Sequence, residues 1–415
     1  MTIIHPGRMA MRSVLLVALI AGVSGAVQAK DLFELDARVI ESGQQGYQGF
    51  SAITDLLDAV STDGLQNVVS TYTETSAAVA TLNVRGLPAQ VEYQSGSPVL
   101  AFRVPSLGID LKFNGATRSE SEDQFEAWLK GEGSGLLTRM LKELARVSPV
   151  DPVAGNPGSL MAQMGAADYS TAADSVFVED ASGSSMAGNN YALVGLEFGR
   201  YSAGGYSQSV TKLPLGWTWK LKDGYQFKLE APITYSDIEG AKTGSGALGG
   251  AFRVPVLKGW VLTPALRVGA TASSDLGAAA VMYSASLSSR YAFALGDWQF
   301  GITDMLGLYR TQSLSHGDYE VDYDLSNTML RNGIDVGTSL PADWFGRPTA
   351  WRAWFIDTRF SGDALYIESY QEIGAALSTR VSFAGVTIEQ SSLGLTYTMG
   401  ENDLKGFRLN FGYKF

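Results

Sequence analysis

From Tyr191 to its last residue the chain alternates apolar and polar side chains, and a period of two sustained over that length leaves few folds open. Leu213, Leu215, Trp217, Trp219 and Leu221 fall on one side of an extended run, with Lys212, Pro214, Gly216, Thr218, Lys220 and Lys222 on the other. Tyr225, Phe227, Leu229, Ala231, Ile233 and Tyr235 alternate in the same way with Gln226, Lys228, Glu230, Pro232, Thr234 and Ser236. A soluble sandwich also alternates, but its strands average about five or six residues. These runs last about 11 or 12, close to the roughly 9–11 that a tilted strand needs to cross a bilayer. A sheet in hydrocarbon must also close on itself, because an unpaired edge finds no water to bond. The predicted fold class is therefore mainly β: a transmembrane barrel of about 12 antiparallel strands over 191–415, preceded by a small α+β region.

The connections alternate in kind as well. Lys222-Asp223-Gly224, Lys258-Gly259, Leu295-Gly296-Asp297 and Phe383-Ala384-Gly385 read as tight turns. Asp237–Ser245, Ser313–Leu325 and Gly400–Lys405 read as longer polar loops, the asymmetry expected of an outer-membrane barrel. Asp343–Pro348 is longer, and Ala203–Gly205 shorter, than that rule predicts. Trp219, Tyr225, Trp260, Trp298 and Trp344 gather at strand ends beside the short turns, where an interfacial girdle of amphipathic rings belongs. At the C-terminus Phe407, Leu409, Phe411, Tyr413 and Phe415 occupy every second position.

Upstream the character differs. Arg8 and Arg12 precede an unbroken apolar stretch, Val14 to Val23, and Val27-Gln28-Ala29 supplies a cleavage site, so residues 1–29 read as an export signal. That stretch is too short to span a bilayer as a helix. Residues 30–153 read as a small α+β region. Ile53, Leu56, Leu57 and Val60 are spaced for a helix, and short alternating runs near Leu82, Val91, Phe102 and Leu111 predict a meander. Ser119 and Glu122 read as a capping box before Phe125 and Trp128. A second helix carries Leu137, Met140, Leu141 and Leu144 on one face. Residues 154–190, rich in Gly, Ala, Ser and Asn, read as a linker with a weak helical patch at Ser159–Tyr169, and about 158–185 is expected to occupy the barrel interior.

Composition removes several activities. Cysteine is absent, which excludes disulfides, thiolate metal sites and a cysteine nucleophile. The net charge is −11, against the basic footprint that nucleic acid requires. No Gly-x-Ser-x-Gly elbow, His-Glu-x-x-His pair or phosphate-binding loop occurs. Only two histidines exist, and removing the signal leaves His316 alone, beside Ser315, Asp318, Glu320, Asp322 and Asp324. A hydrolase base there is one reading, and a solvated acidic loop the plainer one. No catalytic, cofactor or metal residue is assigned. Lys220, Lys228, Glu230, Arg267, Arg290, Arg359, Glu368, Arg380, Glu389 and Arg408 are placed facing the lumen, and their mixed signs favour a paired, plugged interior over an ion-selective pore.

The alternating aromatic C-terminus, the twelve runs and the Gly/Ala-rich segment before them resemble the β-domain of bacterial autotransporters, over about residues 155–415. The resemblance implies an integral outer-membrane protein of a Gram-negative bacterium. Its partners would be outer-membrane lipid, lipopolysaccharide, periplasmic chaperones and the barrel assembly machinery, which reads the terminal aromatic strand. It implies a monomer without nucleic acid or cofactor. The front departs from the family, since residues 30–155 are too few for a large β-helical passenger and show no repeat. The region would be a small passenger, a plug or a periplasmic domain. A porin for small solutes and a hydrolase using His316 stay open as alternatives.

Overall fold

The computed structural model describes residues 30–129, 134–173, 190–316, 319–340, 349–383 and 386–414. The expected signal peptide, residues 174–189 of the expected linker, Asp318, the connection Asp343–Pro348 with Trp344, Ala384-Gly385 and Phe415 lie outside them.

The N-terminal region is built on six antiparallel strands: β1 (Phe33–Val39), β2 (Gln45–Phe50), β3 (Ala78–Val84), β4 (Leu87–Tyr93), β5 (Leu100–Val104) and β6 (Ile109–Phe113). Their spatial order is β2-β1-β3-β4-β5-β6. Two helices follow β2, α1 (Ile53–Val60) and α2 (Thr62–Val68), and two follow β6, α3 (Arg118–Ala127) and α4 (Ser134–Val147). Alternation along β1 buries Phe33, Leu35, Ala37 and Val39 against helices and leaves Asp36 and Arg38 in solvent. Phe102, Phe113, Phe125 and Trp128 stack between the sheet and α3, with Phe102 and Phe125 centroids 5.0 Å apart.

The capping box lies two residues earlier than expected. Thr117 is the N-cap of α3 and accepts from the Glu120 amide at 3.2 Å, while Glu120 accepts from the Ala116 amide at 2.7 Å. Glu122 instead receives the Thr62 amide, the Thr62 hydroxyl and the Tyr93 hydroxyl, tying α3 to α2 and β4.

Strand β7 (Tyr191–Ala203) begins a closed barrel of twelve antiparallel strands. Strand β8 runs in two segments, Tyr206–Leu213 and Leu215–Lys220, and β9 in two, Gln226–Glu230 and Ile233–Ile238. Pro214 and Pro232 interrupt them because proline has no amide to donate to the ladder. The rest are β10 (Ala241–Leu257), β11 (Trp260–Ser273), β12 (Ala278–Leu295), β13 (Trp298–Gln312), β14 (Ser326–Ser339), β15 (Thr349–Gly362), β16 (Ser369–Phe383), β17 (Val386–Gly400) and β18 (Lys405–Lys414). Each pairs with the next, and β18 closes on β7, with Phe411 opposite Leu196. Among the described residues no helix is long and apolar enough to cross a membrane; the crossing is made by strands.

The alternation is turned inside out relative to a soluble protein. Leu196, Trp217, Leu229, Leu248, Leu266, Leu287, Leu306 and Leu330 are exposed on the outer wall, while Lys212, Thr263, Arg267, Ser286, Arg290 and Arg331 are buried within. An apolar outer band around a polar interior is the arrangement a bilayer demands. The expected loop at Asp237–Ser245 is instead a tight turn at Glu239-Gly240, with β10 resuming at Ala241. The segment 313–325 carries a small hairpin, Leu314–His316 with Tyr319–Val321.

Candidate functional site

Polar residues on the inner wall create a lumen, and a helix fills it. Helix α5 (Leu160–Ala173) has the composition LMAQMGAADYSTAA, and its residues are buried almost all round. Small residues let it fit. Gly269 and Gly333 on the wall stand where a Cβ would come within 2.8 Å of the Met164 sulfur and 2.2 Å of the Tyr169 hydroxyl.

One ion pair and several hydrogen bonds from wall cations hold the helix. Asp168 accepts from Arg267 Nε at 3.0 Å and from the Ser286 hydroxyl at 3.1 Å, and Arg267 Nη2 reaches Glu230 at 2.8 Å. Asp168 and Arg267 side chains are each 1% exposed, where an unpaired charge would be prohibitive. Toward the helix C-terminus, Lys228 Nζ donates to the Thr171 carbonyl at 3.2 Å and Arg352 Nη2 to the Ala173 carbonyl at 3.2 Å, cations placed where the helix dipole favours them. The Arg331 guanidinium lies 5.0 Å from the Tyr169 ring centroid and pairs with Glu372, which Arg408 also reaches at 3.0 Å. Asp335 joins Arg290 at 2.7 Å and Arg352 at 2.9 Å. Beside the helix a cavity of about 330 Å³ remains, bounded by residues including Lys212, Glu197, Lys228 and Asp335.

The helix has a direction. Ala173 approaches Arg352, three residues into β15 from the end where the tight turns Lys222–Gly224, Lys258-Gly259 and Gly296-Asp297 lie. The other end of the segment faces the opposite rim, where Gly158 sits against Gln208 near the start of β8. The N-terminal domain is docked on that rim. The Ile53 amide donates to the Asp275 carbonyl at 2.8 Å and the Tyr366 amide to the Ala145 carbonyl at 2.9 Å. Lys142 pairs with Asp363 at 2.8 Å and Asp324 at 3.4 Å. Buried Arg85 reaches Asp151 at 3.4 Å, and the Tyr323 hydroxyl donates to the same carboxylate at 3.2 Å. Burial raises the Asp151 carboxyl above its ordinary value, against the pull of Arg85. One apolar core continues from the N-terminal sheet through Val150, Val153 and Ala154 to Met161, Met164, Met282 and Met329 in the lumen.

Of the residues expected to face inward, Lys228, Glu230, Arg267, Arg290 and Arg408 line the lumen, and Lys220 stands at its rim, 5.6 Å from the Tyr191 ring centroid. Arg359 does not. Inward positions on β15 are Ile356 and Thr358, so Arg359 is exposed outside, paired with Asp357 at 2.8 Å. Glu368 is exposed in the loop before β16. The side chains of Arg380, Glu389 and His316 lie outside the described ones, although the His316 backbone pairs with Tyr319. Asp168, Arg331, Asp335, Arg352 and Glu372 were not singled out from the sequence. Among the described residues no group of His, Asp and Glu is arranged to hold a metal ion.

Trp219, Tyr225, Trp260 and Trp298 stand at the tight-turn rim, Trp219 stacked on Phe227 at 5.4 Å and Trp298 edge-on to Trp351 at 5.7 Å. Phe407, Leu409, Phe411 and Tyr413 occupy alternate positions of β18 between β17 and β7.

No family model and no curated relative matches this sequence. Solved structures similar to it include the β-domain of the Bordetella autotransporter BrkA, 18% identical over 55% of this chain and 98% of that one, with a TM-score of 0.41. The translocator domain of the autotransporter NalP from Neisseria meningitidis is 16% identical over 61% of this chain and 96% of that one, TM-score 0.40. An outer-membrane channel from Pseudomonas putida F1 is 14% identical over 55% of this chain and 94% of that one, TM-score 0.38.

Proposed function

We propose that this outer-membrane β-barrel is a non-enzymatic anchor of autotransporter type, which holds residues 30–153 at the cell surface as a small displayed domain. The observation that carries the reading is the direction of α5. The barrel's two ends, Tyr191 and Lys414, lie at the tight-turn rim, which in outer-membrane barrels faces the periplasm. The chain leaves the domain at the opposite rim, enters the lumen at Leu160 and reaches the tight-turn side at Ala173. At ~1.5 Å per residue those 14 residues cover ~21 Å of the path. Helix α5 thus serves as tether and plug together, and its ion pair and hydrogen bonds to the wall make an open solute channel the weaker reading. Lipopolysaccharide would surround the displayed domain, and the assembly machinery would read β18.

Ser119 is exposed on the domain, and the chain has no cysteine to give background. Ser119→Cys on intact cells should react with a membrane-impermeant maleimide as fast as after the outer membrane is permeabilised. Reaction only after permeabilisation would put the domain in the periplasm and end the proposal.

A further inference from the structure

Among the described residues the outer wall is apolar at mid-height on strand after strand, with one interruption. On β13 the outward residues Trp298, Phe300, Ile302, Asp304, Leu306, Leu308 and Arg310 alternate with buried Gly301, Thr303, Met305, Gly307 and Tyr309. Asp304 is therefore exposed on the lipid-facing side. It lies six residues from Trp298 and six from Arg310, ~15 Å above the tryptophan at the usual rise and tilt. Directly opposite on β14 stands Asn332, exposed between Leu330 and Ile334. The polar line continues across the sheet with Ser289 beside Asp304 on one side, and Asp357 then Gln371 beyond Asn332 on the other. Its ends are satisfied: Ser289 receives the Trp260 indole N–H at 2.9 Å, and Asp357 receives Arg359 and Gln371, each at 2.8 Å. Asp304 and Asn332 have no side-chain partner among the described residues.

Hydrocarbon offers neither donor nor acceptor, and a carboxylate on the lipid face of a barrel carries a cost that grows with depth, smaller than that of a Lys or Arg there. A polar seam of this kind belongs against another protein surface. We propose that the β13–β14 wall is an interface between two copies of this chain within the membrane, Asp304 of each copy accepting from the Asn332 amide of the other. The inference rests on the membrane-embedded reading above and departs from the monomer the sequence suggested. The pair is self-complementary. A two-fold axis along the membrane normal, passing between β13 and β14, carries acceptor onto donor and donor onto acceptor in one operation. The flanking outward residues Ile302, Leu306, Leu330 and Ile334 supply an apolar surround that shields those bonds from lipid and water.

Leu330→Cys places a thiol beside the seam and leaves Asp304 and Asn332 intact, and Leu196→Cys places one on the opposite wall. In native membranes a short bis-maleimide should convert the first variant to a species of twice the mass and leave the second monomeric. Adding Asp304→Leu should lower that cross-linking by about tenfold, the equivalent of one good polar contact. The shift in gel mobility on boiling checks that each variant is a folded barrel. Folded Leu330→Cys protein that cross-links no more than Leu196→Cys, or that ignores Asp304→Leu, overturns the proposal. Cross-linking to a species of any other mass assigns the seam to a different protein and overturns the second copy as its occupant. Absence of the unsubstituted chain from the membrane fraction would remove the membrane reading, and the interface with it.

Discussion

Asp168→Ala tests whether the lumen helix is held by its charges or merely by its shape. The wild-type carboxylate takes two contacts from Arg267, from Nε at 3.0 Å and Nη2 at 2.9 Å, and one from Ser286 at 3.1 Å. Removing one member of a buried pair costs ~3–5 kcal/mol when the survivor is left alone. Arg267 is not left alone, since Glu230 stays at 2.8 Å. We therefore expect about half that figure, roughly 2 kcal/mol, which raises the population with an undocked helix about 30-fold. In planar bilayers the wild-type barrel should be closed nearly all the time, and Asp168→Ala should open correspondingly more often. The double variant with Arg267→Ala, unfolded in urea from lipid vesicles, should cost less than the sum of the two single changes by about 1–2 kcal/mol. Conductance unchanged from wild type, together with additivity within about 0.5 kcal/mol, would refute the view that this ion pair secures the plug.

Other expectations follow from the same contacts. Asp151 carries a carboxyl raised by burial, so it binds its proton more tightly folded than unfolded. Its contribution is fully present below its ordinary value of 3.8 and is lost as pH rises through the raised one, so Asp151→Asn should flatten that part of the pH profile of N-terminal-domain unfolding. Gly333→Ala would set a Cβ 2.2 Å from the Tyr169 hydroxyl and 2.9 Å from the Phe355 carbonyl. It should destabilise the plugged barrel by about 1–3 kcal/mol in urea titration. Changing Phe411 and Tyr413 together to Ser should sharply reduce the fraction of chain with heat-modifiable gel mobility, because β18 closes the barrel between β17 and β7.

What the sequence could say depended on whether a residue's environment repeats along the chain. Barrel strands repeat every second residue, so their number was legible, and so was the inward placement of Lys228, Arg267 and Arg290. The N-terminal strands β1, with Phe33, Leu35, Ala37 and Val39 in alternation, and β2, Gln-Gly-Tyr-Gln-Gly-Phe without such a pattern, are both missing from the sequence reading. Helix α5 gave only a weak trace for a physical reason: enclosed on every side, it needs no apolar stripe, and its small residues report space rather than a face. Arg359 was misplaced because the sequence alone did not fix which parity of β15 points inward. The pairings themselves were beyond reach. Asp335 meets Arg290 and Arg352 only because β12, β13, β14 and β15 are hydrogen-bonded in one register, and that register is set by closure of the whole barrel.

Closure also explains why the lumen helix and the N-terminal domain share one continuous core. A lumen lined by both charge signs must satisfy those charges, and water alone would leave an open hole through the wall. Helix α5 contributes one carboxylate, at Asp168, and its terminal carbonyls, and these meet Arg267, Lys228 and Arg352. Around its N-terminal turns the polar lumen gives way to methionines, Met161 and Met164 of the helix with Met282 and Met329 of the wall, whose flexible side chains fill an irregular gap. That apolar neck joins the core of the six-stranded domain, and the Arg85–Asp151–Tyr323 cluster locks the junction. These contacts join the domain to the barrel rim directly, not through a linker alone. One face of its sheet, carrying Glu34, Asp36, Arg38, Glu92 and Arg103, stays partly or fully exposed.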